Sequence, residues 1–253
     1  MRTIAIIQAR TGSRRLPGKV LMPLGGKPEI HWVVSRTAIS SEIDKVVLAT
    51  TTASEDDKLA EWANENGILC FRGSEQNVLQ RYYYAALFAR AKEGDIIVRI
   101  TGDCPLIDPD ICSNVIRLLK STGADYACNT NPPTYPDGLD CEAMQFNALK
   151  ASYENAVLKY QQEHVTQYIL NNPQLFTLEN YSSAEDFSLH RWTLDEPEDY
   201  TLLSRIFEAL DGRIAGMHDV LKFLEQNEDV DCINASIERN EGLKKSMQEE
   251  DIL

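Results

Sequence analysis

Strands and helices alternate through the first half of this chain, and that rhythm restricts its fold more than any other feature. Four short runs rich in β-branched and apolar residues, at 3–8, 45–51, 68–71 and 95–101, are separated by amphipathic stretches at 28–39, 55–66, 75–92 and 109–121. Parallel neighbours need a crossover of a dozen residues or more, which a helix supplies, so this spacing predicts βαβ units. The runs are apolar almost continuously rather than at alternate positions, as strands covered on both faces must be. The expected fold is therefore α/β: a mostly parallel sheet flanked by helices.

After residue 124 the rhythm breaks. A strand is expected at 125–128, then the turn-rich stretch NTNPPTYPDG, with three prolines and a glycine. A strand at 139–146, helices at 147–159 and 161–171, and a late strand at 188–194 follow. Pro197 suits the first turn of a helix that turns Leu202, Ile206 and Leu210 inward, and two more helices are expected from about 217. With neither a repeat nor a linker, residues 1–253 are expected to form a single domain with halves of about 1–125 and 126–253.

Charge is unevenly placed. The chain carries a net −14, yet its first 36 residues hold seven basic side chains against Glu29 alone, a net +6. Such a balance argues against a nucleic-acid binder, which needs a broadly basic face, and points to a local anion site near the N-terminus. The first apolar run is too short for a signal segment or a membrane span. The six cysteines form no C-x-x-C pair, so reduced thiols and a cytoplasmic location are expected, with no nucleic-acid or membrane partner.

Directly after the first strand comes Gln8-Ala9-Arg10-Thr11-Gly12-Ser13-Arg14-Arg15-Leu16-Pro17-Gly18-Lys19. Ligands of open α/β sheets bind beyond the carboxyl ends of strands, where these cations could surround a polyphosphate. Gly12 and Gly18 let the backbone approach and present N–H groups. It is not a P-loop: five residues separate the glycines, and Val20 stands where a magnesium-holding hydroxyl is needed. Taken alone, the stretch also reads as a solvated basic loop.

The pattern A-R-x-x-S-x-R-L-P-x-K, met here by Ala9, Arg10, Ser13, Arg15, Leu16, Pro17 and Lys19, resembles the signature of the sugar-acid cytidylyltransferases, the CMP-KDO and CMP-sialic acid synthetase superfamily. The chain is most similar to the branch typified by the spore-coat polysaccharide biosynthesis protein SpsF. Six segments carry that resemblance in order: IIQARTGSRRLPGKVL, RGSEQNVLQRYYYAA, RITGDCPLIDP, YPDGLDCEAMQFNAL, EHVTQYI and RWTLDEPEDY. It implies a Rossmann-like nucleotide-diphospho-sugar transferase fold, with nucleotide bound by the first half and sugar binding and dimerisation by the second. The implied reaction is Mg²⁺-dependent transfer of CMP from CTP to a nonulosonic or KDO-like sugar acid, releasing pyrophosphate for surface polysaccharide synthesis. The expected partners are CTP, the sugar acid and a second copy of the chain in a homodimer. Another NTP–sugar nucleotidyltransferase, a glycosyltransferase on the same fold, or a non-catalytic nucleotide-binding descendant are the rival readings.

The resemblance implies catalytic roles for Arg10, Arg15 and Lys19 in neutralising the phosphates. Gln8, Ala9, Thr11, Gly12, Ser13 and Gly102 join them as nucleotide contacts. Arg72, Gly73, Ser74 (a candidate N-cap), Asn77 and Arg81 are expected to meet the base, although Arg81 could equally be a surface helix residue. Asp103, after the strand at 95–101, and Asp195, after that at 188–194, are placed as magnesium ligands, since Mg²⁺ favours one or two carboxylates plus substrate phosphates. As residues alone, both aspartates also suit caps of the turn and helix that follow. Thr193-Leu194-Asp195 offers one carboxylate where some sialic-acid relatives place D-x-D. Asp140, Glu142, Glu163 and His164 would accept sugar hydroxyls, and Arg191 would meet the sugar carboxylate; His164 also suits a structural role.

Overall fold

The computed structural model describes residues 1–239 and 241–251. Among them the strands are β1 (Thr3–Gln8), β2 (Pro23–Leu24), β3 (Lys27–Pro28), β4 (Lys45–Thr51), β5 (Leu69–Gly73), β6 (Ile96–Thr101), β7 (Tyr126–Cys128), β8 (Glu142–Gln145) and β9 (Leu178–Asn180). The helices are α1 (Glu29–Ala38), α2 (Asp57–Glu65), α3 (Val78–Phe88), α4 (Pro109–Thr122), α5 (Phe146–Asn155), α6 (Lys159–Glu163), α7 (Gln167–Leu170), α8 (Pro197–Leu210), α9 (Met217–Glu225), α10 (Glu228–Asp231) and α11 (Glu241–Asp251). None is long and apolar enough to cross a membrane.

Seven strands form one sheet in the order β5-β4-β1-β6-β8-β7-β9, parallel except for β8. This is the mostly parallel mixed sheet that the sequence predicts. The apolar runs are continuous because both faces are covered: Ala5, Ile7, Val98 and Ile100 pack toward α1 and α4, while Ile4, Ile6, Val47 and Ile97 pack toward α3 and α5. From β1 the chain builds outward through β4 to β5, then returns to lay β6 on the other side of β1. That reversal opens a crevice at the carboxyl ends of β1 and β6. A third apolar cluster, with Trp192, Leu202, Ile206 and Phe207, joins α8 and α9 to the irregular second half.

Local chemistry sets several boundaries. Asp108 caps α4 by accepting from the Asp110 and Ile111 amides, Pro109 fills the first turn, and left-handed Gly123 ends the helix. Asn77, not Ser74, caps α3, accepting from the Gln80 amide at 2.7 Å; Ser74 accepts from the Asn77 amide one turn earlier. The helix expected from 75 therefore starts at Val78.

The second half departs further from expectation. Residues 188–194 form no strand, only an isolated bridge between Asp137 and Arg191. Their main chain is claimed by loops: the Trp192 amide donates to Asp137 O and the Leu194 amide to Asp103 O. Their apolar side chains serve the third cluster instead of a sheet face. The strand expected at 139–146 shrinks to β8 because the Asn129 amide group ties up Leu139 O and the Cys141 amide. The helix expected at 161–171 splits into α6 and α7 at Val165, whose φ is +53°. Polar β9 was not anticipated, and among the described residues the tail holds three helices where two were expected. All six cysteines are free thiols.

Candidate functional site

The crevice is narrow where β1 and β6 end. Gln8 and Thr101 are register partners, and the Gly102 amide donates to Gln8 O at 2.7 Å. A Cβ on Gly102 would lie 2.6 Å from both Gln8 O and the Ala9 Cβ, so this approach requires glycine. The loop after Gln8 is pinned by Thr11, whose amide and hydroxyl donate to Asp56 at 2.7 and 2.8 Å. The Ser13 and Gly18 amides both return to Thr11 O, and left-handed Gly18 turns the chain into a 3-10 turn at Lys19–Leu21. Thr11 thus shapes the loop, and Ser13 accepts within it from the Leu16 amide.

Lys19 lies buried between the two aspartates singled out from the sequence. Its ammonium is 2.9 Å from Asp103 and 2.6 Å from Asp195, and Arg15 meets the other Asp195 oxygen at 2.9 Å. Burial pulls the Asp103 carboxyl up, but the Lys19 ammonium outweighs it and holds the group near 2. Conversely, Asp103 and Asp195 overcome burial and raise Lys19, so Lys19 and Asp103 stay charged at neutral pH. The segment 193–195 is stitched to Asp103 itself, its carbonyl accepting from the Leu194 amide (2.8 Å) and the Thr193 hydroxyl (3.1 Å). Neither carboxylate is consumed as a helix cap: the residue that accepts at the start of α8 is Asp199.

Two carboxylates from separate loops converging on one cation position form an oxygen donor set that fits a divalent metal. Among the described residues no cluster of three or more acidic, His or Cys side chains forms a metal cage, so most of a magnesium shell would fall to phosphates and water. Nearby Glu29, at the start of α1, was not singled out by the sequence. It is fully buried with both oxygens unbonded, and burial, with Asp103, pushes its carboxyl far up.

The other expected nucleotide residues divide by role. Arg10 pairs with Glu75 at 2.7 Å, both about half exposed. Arg72 donates to Thr51 O and Ala53 O and pairs with Asp57. Arg81 is buried and holds Ser74 O, while a Cβ on Gly73 would press on Phe71 and Arg81. In this segment the side chains brace the loop.

The expected sugar residues are brought only partly together. Arg191 is buried and gives Nε and Nη2 to Asp199 (2.9 and 3.0 Å) and Nη1 to Asp137 (3.0 Å). Fully buried Asp199, invisible as a site residue in sequence, also accepts from the Asp195 and Glu196 amides and from Asn234. Glu142 is held by Arg99, Tyr126 (2.6 Å) and Thr166 (2.7 Å); burial alone would raise it, and Arg99 brings it below the usual range. Asp140 pairs with Arg239. Glu163 and His164 face α11 instead, both reaching Ser246 at 3.1 and 3.0 Å.

A family profile described as Cytidylyltransferase matches residues 4–238. The spore coat polysaccharide biosynthesis protein SpsF of Bacillus subtilis is 34% identical, covering 88% of this chain and 94% of its own. Among solved structures, a cytidylyltransferase from Leptospira borgpetersenii superposes with a TM-score of 0.86 at 33% identity, over 91% of this chain and 97% of that one. A CMP:2-keto-3-deoxy-manno-octonic acid synthetase complexed with CTP shares the fold, with a TM-score of 0.60 at 18% identity over 83% and 98% of the two chains. With its crevice, its signature loop and a match spanning almost its whole length, the chain belongs to the cytidylyltransferase family.

Proposed function

We propose that this enzyme transfers CMP from CTP to a hydroxyl of a sugar acid and releases pyrophosphate, as a step in surface polysaccharide synthesis. The observation that carries the reading is the convergence of Asp103, Asp195, Lys19 and Arg15 at the β1/β6 crevice. The triphosphate lies along the loop after β1, with Gly102 allowing its close approach and Arg10, Arg15 and Lys19 offsetting its charge. The base meets the backbone around 73–77. The acceptor enters from the second half, where Asp140 and Glu142 offer hydroxyl acceptors.

Asp103 and Asp195 would hold magnesium, which supplies Lewis-acid polarisation of the α-phosphate when bound. The acceptor oxygen bonds to the α-phosphorus as the bond to the bridging oxygen of pyrophosphate breaks, and the hydroxyl proton passes to solvent. Asp103, held near 2, stays an anion through this step and does not act as a proton shuttle. The chain's contribution is positioning and charge compensation, and no protein nucleophile is required. The SpsF likeness supports the polysaccharide setting, and a homodimer in a reducing, cytoplasmic setting is the accompanying proposal.

Purified protein incubated with Mg²⁺, each of the four NTPs and a panel of nonulosonic and octulosonic acids should release pyrophosphate with CTP. Release with another NTP alone would move the reading to a different nucleotidyltransferase. No release with any combination would overturn it.

A further inference from the structure

The cation position between Asp103 and Asp195 is filled by the chain itself. Lys19 Nζ lies 2.9 Å from Asp103 Oδ2 and 2.6 Å from Asp195 Oδ1. Arg15 Nη2 meets the other Asp195 oxygen at 2.9 Å. Three of the four carboxylate oxygens in this corner therefore already hold a cation. The oxygens that suit a divalent metal are the ones the ammonium uses. A metal drawing on them at about 2 Å would be forced close against a like charge in a poorly solvated crevice. Ammonium and metal are alternatives at this position.

The two basic side chains are held differently. That of Arg15 is 40% exposed, and its pairs with Asp195 and with Glu196 (3.2 Å) lie at the rim, where ion pairs are weak. That of Lys19 is 10% exposed. Drawing its ammonium away strips two carboxylates of their shared counter-ion, a loss that calls for a replacement cation. Left-handed Gly18 and the 3-10 turn at Lys19–Leu21 fix the Lys19 backbone, while its flexible four-carbon stem lets the ammonium re-aim. Among the described residues no third acidic, His or Cys side chain completes a metal cage, so a metal arriving without phosphates gains little by displacing Lys19. A triphosphate along the loop after β1 changes both sides of that balance. It gives the ammonium a new partner and brings the metal the oxygens that the protein does not supply.

We propose that Lys19 and the divalent metal compete for the Asp103–Asp195 position, and that Lys19 yields it only to a triphosphate, so that metal and nucleotide enter together. The inference rests on the CMP-transfer reading above for the identity of the nucleotide. By linkage, the factor by which nucleotide raises metal affinity is also the factor by which metal raises nucleotide affinity.

Equilibrium dialysis of the protein against Mn²⁺, through a membrane that passes Mn²⁺ and its CTP complex, tests it. Without nucleotide, wild type should retain Mn²⁺ weakly, and Lys19→Met should bind it about 10-fold or more tightly. Lys19→Arg, which keeps the charge, should stay as weak as wild type. Adding Asp103→Asn to Lys19→Met should abolish the gain, which locates the ion between the two aspartates. CTP should raise the Mn²⁺ retained by wild type. Equal affinity in wild type and Lys19→Met, or a gain that survives Asp103→Asn, would overturn the inference. So would tight Mn²⁺ binding by wild type without nucleotide, a measurement that needs no variant to fold, or no rise in its retained Mn²⁺ with CTP. Pyrophosphate release by wild type alongside any of these results would remove the inference and leave the CMP-transfer reading standing. Conversely, the expected gain in Lys19→Met without release from any NTP and acid would remove that reading and leave the competition in place.

Discussion

At the ends of β1 and β6, functional side chains hang from regular elements. Gln8 and Thr101 are fixed by strand register, Gly102 by a main-chain hydrogen bond, and Lys19 by the turn that Gly18 permits. In the second half the corresponding side chains are held by one another. Arg191 stays in place because Asp199 grips it, Asp199 because two amides and Asn234 do, and Asp140 because Arg239 reaches it from a distant arm. The first corner is positioned by backbone and the second by a polar network. Substitutions should therefore separate chemistry from stability in one and merge them in the other.

Asp103→Asn gives the largest expected effect: kcat for pyrophosphate release falls about 10³-fold, roughly 4 kcal/mol. The thermal midpoint should hardly move, because Lys19 keeps Asp195 as a partner. A collapse of the midpoint would break the contrast by showing that ion pairs hold this corner too. Asp199→Ala should instead destabilise by about 3 kcal/mol, seen in urea unfolding, since it leaves Arg191 buried without its bidentate partner. It should also cost activity, because the amides of Asp195 and Glu196 lose their anchor. A stable Asp199→Ala protein would show that packing around Trp192, not the network, sets the second corner.

Gly102→Ala tests the backbone side of the comparison. Its Cβ would be driven against Gln8 O and Ala9, costing about 2 kcal/mol and displacing the phosphate loop, with a raised KM for CTP as the kinetic sign. The smallest effect is a pH dependence. Because burial raises Asp140 to about 7 in the folded protein, the folded state binds more protons than the unfolded chain between roughly pH 4 and 7. Its contribution to stability is then greatest below that window and lost as pH rises through it. Asp140→Asn removes that loss, so its thermal midpoint should gain on wild type by several degrees between pH 5 and 7.5. A constant difference across that range would show that the pair titrates normally.

The contrast also explains which parts of the molecule the sequence disclosed. The parallel strands were visible because full burial on two faces leaves an apolar signature, and α4 because Ile111, Val115, Leu118 and Leu119 recur on one face. The stretch at 188–194 misled for a related reason. Trp192 and Leu194 are buried as strand residues would be, but in a cluster with α8 and α9, and burial alone does not say against what. Ser74 and Asn77 are both good caps, and only the path of the chain chose between them. Glu163 and His164 read as acceptor contacts until α11 was placed beside them.

The sequence by itself determined the α/β class, which follows from periodicity, and singled out the loop after the first strand and the two aspartates through segments that resemble a known family. Tertiary structure alone decided that Lys19 stands between Asp103 and Asp195, that Arg191 belongs to Asp199, and that Arg239 arrives beside Asp140. Those pairings join residues far apart in the chain, and charge carries no period that would announce its partner in advance.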